Sequence, residues 1–256
     1  MSDGEATVDM SFSLTDKIAV VTGGASGIGK AIAEAYHAKG AKVVLVDMQL
    51  EAAQAEAAAI GDGTLAFACD VSDYDSVNAV VADIVAAVGR IDILVNSAGI
   101  VALAPAEELT LGAWDKTIAV NLSGSFYMAQ AVGKVMLDAG YGRIINMASQ
   151  AGSVALDGHV AYCTSKFGVI GLTKVLASEW AGRGVNCNCI SPTVVLTDLG
   201  KKAWDGPKGD ALKKLIPTGR FAMPDEIAAA AVFLASDGAN MINGADLLID
   251  GGYTIR

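Results

Sequence analysis

Short apolar runs recur along the chain, separated by segments of helical length, and this alternation limits the possible folds more than any other feature. Near-continuous stretches of Val, Ile and Leu are typical of strands in a parallel sheet that is covered on both faces. Parallel strands need long crossover connections, which helices supply. The sequence therefore predicts an α/β fold with a doubly wound parallel sheet. The predicted strands are residues 18–21, 43–46, 65–68, 93–95, 144–147, 185–190 and 247–249.

The segments between these strands are rich in Ala and have helical apolar spacing. They are residues 29–38, 50–60, 74–88, 114–137, 161–180 and 225–234. Because no Ser-, Pro- or Gly-rich linker divides them, residues 14–256 are predicted to form a single domain. Residues 1–13, which carry three acidic side chains, are predicted as a flexible, solvated arm. The Gly- and Pro-punctuated segment at about 193–221 is predicted as an insertion that acts as a substrate lid.

Composition excludes several classes of partner. The 256 residues carry a formal net charge of −10, and a surface of that sign repels nucleic acids and anionic membranes. No apolar run reaches the roughly 20 residues that a membrane-spanning helix needs. The four cysteines lack the spacing of a metal site or a disulfide framework. We therefore expect reduced thiols, no bound metal and a cytoplasmic location.

A Gly-rich stretch, Thr22-Gly-Gly-Ala-Ser-Gly-Ile-Gly29, lies between the first predicted strand and the helix that follows it. Glycines in such a turn let backbone amides approach a pyrophosphate, which the positive end of the helix also attracts. This placement predicts the dinucleotide site of a Rossmann fold. The residues predicted to form it are Gly23, Ser26, Gly27, Ile28 and Gly29.

Asp47 stands at the end of the second predicted strand. A carboxylate at this point accepts hydrogen bonds from both ribose hydroxyls of an adenosine and repels a 2′-phosphate. Neither Gly24 nor Met48 offers the cation that a 2′-phosphate needs. The predicted cofactor is therefore NAD rather than NADP.

Tyr162 and Lys166 lie four residues apart in a predicted helix, so both project from one face about one turn apart. An ammonium close to a phenol favours the phenolate, and a phenol tuned in this way exchanges a proton with an alcohol or carbonyl oxygen. A nicotinamide can then move the hydride. Ser149 and the stretch Asn96-Ser-Ala-Gly99 each follow a predicted strand, at the sheet edge where α/β proteins bind ligands.

These motifs, in this order, resemble the short-chain dehydrogenase/reductase family from Leu14 to the C terminus. Asp70-Val71, Asn121 and Tyr162-Cys-Thr-Ser-Lys166 complete the pattern. The resemblance implies that Tyr162 is the general acid/base and that Ser149 hydrogen-bonds the substrate oxygen. It also implies that Lys166 holds the nicotinamide ribose and lowers the pKa of the tyrosine. Asn121 is then expected to hold a water of the proton relay through a helix irregularity.

The same resemblance assigns further cofactor contacts. Asp70 and Val71 are expected to meet the adenine, whereas Asn96, Ala98 and Gly99 support the central strands and the adenosine ribose. Pro192, Val195 and Thr197 are expected to line the nicotinamide, with Thr197 at the carboxamide. Two positions depart from the family pattern, because Ser97 stands where a second Asn is common and Thr193 where Gly is usual.

Residues 191–204 and 216–221 are similar to the corresponding segments of L-xylulose reductases and polyol dehydrogenases. By that resemblance Gln150, Leu156, His159 and Trp204 contact a sugar, together with Ser149 and Tyr162. His159 capping a helix and Trp204 packing the lid are the alternatives. Because Asp47 conflicts with the NADP preference of xylulose reductases, the expected reaction is NAD-dependent interconversion of a four- to six-carbon polyol and its ketose.

Two other functions are considered. A 3-ketoacyl-carrier-protein reductase, or another carbonyl reductase, is the alternative enzyme, but Gly140 and Ser178 stand where arginines bind the acidic carrier. A non-catalytic nucleotide sensor is disfavoured because Ser149, Tyr162 and Lys166 are all present. The predicted helices 114–137 and 161–180 pair subunits in the resembling family, so a homotetramer is expected.

Overall fold

Seven strands form one parallel sheet in the computed structural model, which describes residues 8–255 apart from the side chain of Leu199. The strands are β1 (Ile18–Thr22), β2 (Lys42–Asp47), β3 (Leu65–Ala68), β4 (Ile93–Asn96), β5 (Gly142–Met147), β6 (Val185–Pro192) and β7 (Asp246–Ile249). Their spatial order is β3-β2-β1-β4-β5-β6-β7. The chain therefore winds outward in one direction from β1 and in the other from β4, which confirms the predicted fold class.

Helices cover both faces of this sheet. They are α1 (Gly27–Ala38), α2 (Leu50–Ile60), α3 (Tyr74–Val88), α4 (Leu111–Ile118), α5 (Gly124–Ala139), α6 (Val160–Trp180), α7 (Asp198–Ala203), α8 (Pro207–Lys213) and α9 (Pro224–Ala235). Val20 and Val21 are neighbours in β1, yet they are fully buried in two different hydrophobic clusters. Because successive strand side chains point to opposite faces, apolar residues are needed at both positions, which explains the near-continuous runs.

The long helix predicted at residues 114–137 is interrupted in the structure. A π-helical turn, Ala119–Ser123, separates α4 from α5 and contains Asn121. A π turn inserts an extra residue into a helix, which changes the direction of the side chains within it. The irregularity that the family resemblance implied at Asn121 is therefore present in this chain.

The segment predicted as a lid contains two short helices, α7 and α8, which the sequence did not reveal. Thr197 begins the first of them, because its Oγ1 accepts a hydrogen bond from the Gly200 N–H at 3.1 Å. The segment ends at Phe221, which is 2% exposed. The segment predicted as a lid is thus structured and anchored to the body at its end, and its role as a lid stays a prediction.

Part of the predicted arm also contacts the body. Residues 1–7 lie outside the described residues, but the ring centroid of Phe12 lies 5.5 Å from that of Phe233 in an edge-to-face contact. The end of the segment predicted as a solvated arm is therefore packed rather than free. The cysteines at positions 69, 163, 187 and 189 form no disulfide.

Within residues 8–255 no helix combines the length and the apolar character needed to cross a membrane. The same part of the chain contains no cluster of three or more side chains that could ligate a metal ion.

Candidate active site

The Gly-rich turn after β1 is too tightly folded for side chains at several positions. Gly23 and Gly27 have φ values of +63° and +59°, in the left-handed region that favours glycine. A Cβ on Gly29 would lie 2.3 Å from the Gly23 carbonyl oxygen, and one on Gly23 would lie 3.0 Å from the Ala98 backbone. Ser26 and Ile28 complete the turn at the start of α1, where Ser26 is exposed. The turn is a backbone cradle of the kind that a pyrophosphate needs.

Asp47 lies at the rim of this cradle. Its Oδ2 accepts a hydrogen bond from the Ala25 N–H at 3.2 Å, and its Oδ1 accepts one from the Gln49 N–H at 3.0 Å. The carboxylate is half-buried. Because it bonds the Ala25 N–H, its charge lies directly beside the Gly-rich turn. Asp47 in this way orients the turn as well as offering an acceptor to a ribose.

The loop after β4 is bound to the end of β1 by one hydroxyl group. Thr22 Oγ1 accepts hydrogen bonds from the backbone N–H groups of Ser97 at 3.0 Å and Ala98 at 3.1 Å. Gly99 follows in the same loop, and a Cβ there would lie 3.4 Å from Asn121 Oδ1. The predicted ribose loop therefore runs from the Gly-rich turn to Asn121.

Asn96 differs from the other members of this motif. Its side chain is 3% exposed, and its Nδ2 donates to the Ser125 carbonyl at 3.1 Å and to Asn146 Oδ1 at 2.9 Å. These bonds join the β4 end to α5 and to β5. The side chain therefore supports the central strands, as expected, and the predicted contact of Asn96 with the cofactor stays a prediction.

The remaining predicted cofactor residues surround the same edge of the sheet. Asp70 is exposed and binds Ser72 through its Oδ1, whereas Val71 is 8% exposed. Pro192 ends β6, and Val195 pairs with Ala222 in an isolated β-bridge. A Cβ on Gly27 would lie 3.5 Å from Thr197 Cγ2, so the start of the lid lies against the Gly-rich turn.

Tyr162, Lys166, Ser149 and Asn121 converge at the carboxyl ends of β4 and β5. Lys166 is 6% exposed, and its Nζ donates to the Met147 carbonyl at 2.6 Å. The same Nζ lies 5.5 Å from the centroid of the Tyr162 ring. Ser149 begins a short 3₁₀ turn, and its Oγ accepts a hydrogen bond from the Ala151 N–H at 3.1 Å. The structure thus brings together the four residues that the sequence singled out.

The protonation of this cluster differs from the expectation. Burial raises the pKa of Tyr162, while a hydrogen bond with the Ser149 hydroxyl acts in the opposite direction. Burial also lowers the pKa of Lys166 to about 8. Burial therefore disfavours the charged form of both side chains, and the Tyr162 pKa is shifted in the direction opposite to the one expected from Lys166.

Two of the residues predicted to contact a sugar lie close to Ser149 or Tyr162, and one lines a neighbouring groove. Gln150 is 4% exposed beside Ser149, and its Oε1 has no partner among the described residues. The ring centroid of His159 lies 6.2 Å from that of Tyr162, and its Nδ1 bonds the Asp157 carbonyl at 2.7 Å. Leu156 lines a neighbouring groove of about 1040 Å³ rather than this cluster.

Trp204 packs within the lid. Its ring centroid lies 6.1 Å from that of Phe221, and Lys208 Nζ lies 4.6 Å above the Trp204 ring. This arrangement corresponds to the packing alternative, and the structure gives no contact between Trp204 and Tyr162. A sugar contact by Trp204 stays a prediction.

Sequence reasoning missed Ser165, whose Oγ accepts a hydrogen bond from Asn121 Nδ2 at 3.1 Å and donates to the Tyr162 carbonyl at 2.7 Å. The available signal was its place three residues after Tyr162 in a helix, since residues at that spacing share a face.

A doubly wound sheet with a Gly-rich first turn and a Tyr–Lys–Ser–Asn cluster at its carboxyl edge defines a dinucleotide-dependent oxidoreductase. Comparison with known proteins supports this class and narrows it. A family model described as enoyl-(acyl carrier protein) reductase matches residues 23–254. The chain belongs to the short-chain dehydrogenase/reductase family, as the resemblance indicated. Members of this family use nicotinamide cofactors.

Two curated relatives match almost the whole chain. A D-threitol dehydrogenase of Mycolicibacterium smegmatis is 68% identical over 255 residues, which is 98% of each protein. An NAD-dependent glycerol dehydrogenase of Listeria innocua is 53% identical, over 97% of this chain and 98% of the relative. A solved gluconate 5-dehydrogenase of Burkholderia cenocepacia, in complex with NADP and tartrate, is 35% identical with a TM-score of 0.92, over 96% of this chain and 98% of that one.

The lowered pKa of Lys166 has a measurable effect on stability. Between pH 8 and the ordinary lysine value of 10.5, the unfolded chain binds more protons at this residue than the folded protein. The contribution of Lys166 to the free energy of unfolding therefore rises with pH across this window. Urea denaturation gives the free energy of unfolding of the wild type and of Lys166→Met. The value for the wild type minus that for the variant should rise with pH, by at most about 1.4 kcal/mol per pH unit. A difference that stays constant from pH 8 to 10.5 would contradict the lowered pKa.

Proposed function

We propose that the protein is an NAD-dependent dehydrogenase that interconverts a polyol of four to six carbons and its ketose. The convergence of Tyr162, Lys166, Ser149 and Asn121 beside the Gly-rich cradle is the observation that carries the proposal. The names of the two curated relatives, a threitol dehydrogenase and a glycerol dehydrogenase, support a polyol as substrate, and threitol lies within the proposed range of four to six carbons.

The residues of the cluster divide the proton chemistry among them. The chemistry that NAD supplies when bound is acceptance of the hydride, together with a positive charge that favours the tyrosine phenolate. In the oxidation direction Tyr162 takes the hydroxyl proton, and Ser149 donates a hydrogen bond to the same substrate oxygen. Lys166 would hold the nicotinamide ribose when the cofactor binds, and Asn121 would hold a water of the relay that returns the proton to solvent.

The preference for NAD rests on Asp47. Its carboxylate, held by the Ala25 N–H at 3.2 Å, stands beside the Gly-rich turn where an adenosine ribose would lie. A 2′-phosphate at that ribose would be repelled by this charge, and Gly24 and Met48 supply no opposing cation. A structural relative with the same fold was solved in complex with NADP, so the fold alone does not fix the cofactor, and the proposed preference rests on the charge of Asp47.

Buried polar groups near the cluster suit a substrate with several hydroxyls. The Gln150 Oε1 is an acceptor without a partner among the residues that the structure describes, and burying such a group is unfavourable unless a ligand or water satisfies it. His159 adds a ring nitrogen close to Tyr162. We assign both to the polyol. Leu156 lines the neighbouring groove and Trp204 packs on Phe221, so contacts of these two residues with the carbon chain stay predictions.

Assembly into a homotetramer is supported by two exposed apolar surfaces. On α6, Phe167 and Val175 are 50% and 54% exposed, and they lie symmetrically about Gly171, which has open space above it. A two-fold axis at Gly171 would pair two antiparallel copies of this helix. Near β7, Met241 and Ile255 are 97% and 82% exposed. A tetramer with two kinds of two-fold interface would cover both surfaces.

The reaction is tested with purified protein, NAD and a panel containing threitol, xylitol, arabinitol and sorbitol, followed by NADH absorbance. An acetoacetyl thioester with NADH tests the ketoacyl alternative in parallel. Turnover of at least one polyol is expected. The proposal is wrong if no polyol in the panel is oxidised, or if the thioester is turned over faster than every polyol.

Tyr162→Phe should lower kcat for polyol oxidation by at least about 100-fold, because it removes the proton acceptor. Its Kd for NADH, measured by fluorescence, should stay near that of the wild type. Tyr141→Phe is the matched control, since the buried Tyr141 hydroxyl has no partner among the described residues. The mechanism is wrong if Tyr162→Phe keeps more than a few per cent of the activity.

Asp47→Asn should raise kcat/KM for NADP relative to NAD by about tenfold or more, because it removes the charge while keeping one oxygen as acceptor for one of the two backbone N–H groups. Steady-state kinetics with both cofactors give this ratio. The assignment to NAD fails if the wild type already prefers NADP, or if the ratio does not change in Asp47→Asn.

Gly171→Asp should dissociate the tetramer, because it brings two like charges together at the proposed axis. The change has room, since nothing lies within 4 Å of a Cβ at this position. Gly182→Asp is the control: position 182 is equally open, lies outside the surface formed by Phe167, Gly171 and Val175, and receives the same charge. Light scattering should find tetramers for the wild type and for Gly182→Asp, and smaller species for Gly171→Asp. A monomeric wild type contradicts the assembly.

A further inference from the structure

One buried hydroxyl connects the helix that carries Tyr162 to the π turn that carries Asn121. Ser165 is fully buried in α6. Its Oγ donates to the Tyr162 carbonyl at 2.7 Å and accepts a hydrogen bond from Asn121 Nδ2 at 3.1 Å. The Ser165 side chain thus contacts one candidate catalytic residue through its backbone and another through its side chain.

Asn121 continues this connection toward the cofactor loop. Its Oδ1 accepts from the Ile100 N–H at 2.8 Å, and its Nδ2 donates to the Ile100 carbonyl at 2.9 Å. Ser125 Oγ donates to the Asn121 carbonyl at 2.8 Å. Among the hydrogen bonds of the described residues, the bond to Ser165 is the one that joins the Asn121 side chain to α6.

Ile100 immediately follows the loop that packs on the Gly-rich turn. A Cβ on Gly99 would lie 3.4 Å from Asn121 Oδ1 and 3.9 Å from Lys166 Nζ. The Ala98 backbone would lie 3.0 Å from a Cβ on Gly23. The contacts therefore form a continuous path from Tyr162 through Ser165, Asn121 and the Ile100 backbone to the cradle.

We propose that Ser165 is a positioning residue that couples the cofactor loop to the Tyr162 helix. Its two hydrogen bonds fix the rotation of the Asn121 amide, which in turn clamps both backbone groups of Ile100. This role makes dinucleotide affinity depend on a residue that does not itself touch the dinucleotide. The part of the proposal that concerns turnover rests on the proposed polyol dehydrogenase activity, whereas the part that concerns dinucleotide binding does not.

Ser165→Ala removes the hydroxyl with little change in volume. It should raise the Kd for NADH, measured by fluorescence titration, by roughly fivefold. It should also lower kcat for polyol oxidation by roughly tenfold, with the polyol KM within twofold of the wild type. Thr117→Val is the matched control, because Thr117 is also fully buried and its hydroxyl bonds only the Ala113 carbonyl of its own helix at 2.8 Å. Thermal unfolding of both variants measures any general loss of stability.

A double-mutant cycle tests the coupling itself. Asn121→Ala, Ser165→Ala and the double variant are compared by their Kd for NADH. The double variant should bind about as weakly as the weaker single variant, because both changes break one connection. Full additivity in the cycle would overturn the proposal, and so would a Ser165→Ala variant whose Kd and kcat match those of Thr117→Val. If the wild type binds NADH but oxidises no polyol, the proposed function fails, and the Kd cycle still decides the coupling.

Discussion

The hydroxyl of Thr22 holds together the two strand ends on which the site depends. Its oxygen accepts hydrogen bonds from the backbone N–H groups of Ser97 and Ala98, so the loop after β4 is fixed against the turn after β1. These two strands are neighbours in space although β2 and β3 lie between them in the chain, which makes their junction the switch point of the sheet. The Gly-rich cradle, the carboxylate of Asp47 and the path toward Asn121 all start from this junction.

Two charged side chains, Asp47 and Lys166, are central to this site. The chain carries a net charge of −10, and among these charges the carboxylate of Asp47 lies against the cradle, where we propose that it favours NAD over NADP. Lys166 lies in the core with its pKa lowered to about 8, so holding it as an ammonium below that pH is costly. A bound dinucleotide that accepts hydrogen bonds from the Lys166 ammonium would stabilise the charged form.

The strands were predictable because burial on both faces leaves a strong pattern. Val20 and Val21 must both be apolar when helices cover both faces of the sheet, and the same rule holds for the inner strands β2, β4, β5 and β6, whereas the edge strands β3 and β7 are only partly buried. Helices α7 and α8 are short and lie in a segment rich in Gly, Pro and Lys, so no apolar period marks them. The π turn at Asn121 is equally hidden from periodicity, since one inserted residue barely changes a long helical pattern; the family resemblance indicated it instead.

The sequence predicted which residues form the site, but it did not predict how deeply they are buried or which neighbours they contact. The motif placed Tyr162 and Lys166 on one face, but the pKa values depend on burial that no spacing shows. The inward direction of Asn96 and the contact of Ser165 with Asn121 are likewise set by packing between helices and sheet.

The central claim is that this cluster moves a hydride from a secondary carbinol carbon of a polyol to NAD. Mass spectrometry of the NADH formed from threitol deuterated at its secondary carbons tests that transfer most directly. The account predicts NADH that carries deuterium from the substrate, and the Tyr162→Phe variant should form almost none. Formation of unlabelled NADH from the deuterated threitol would contradict it.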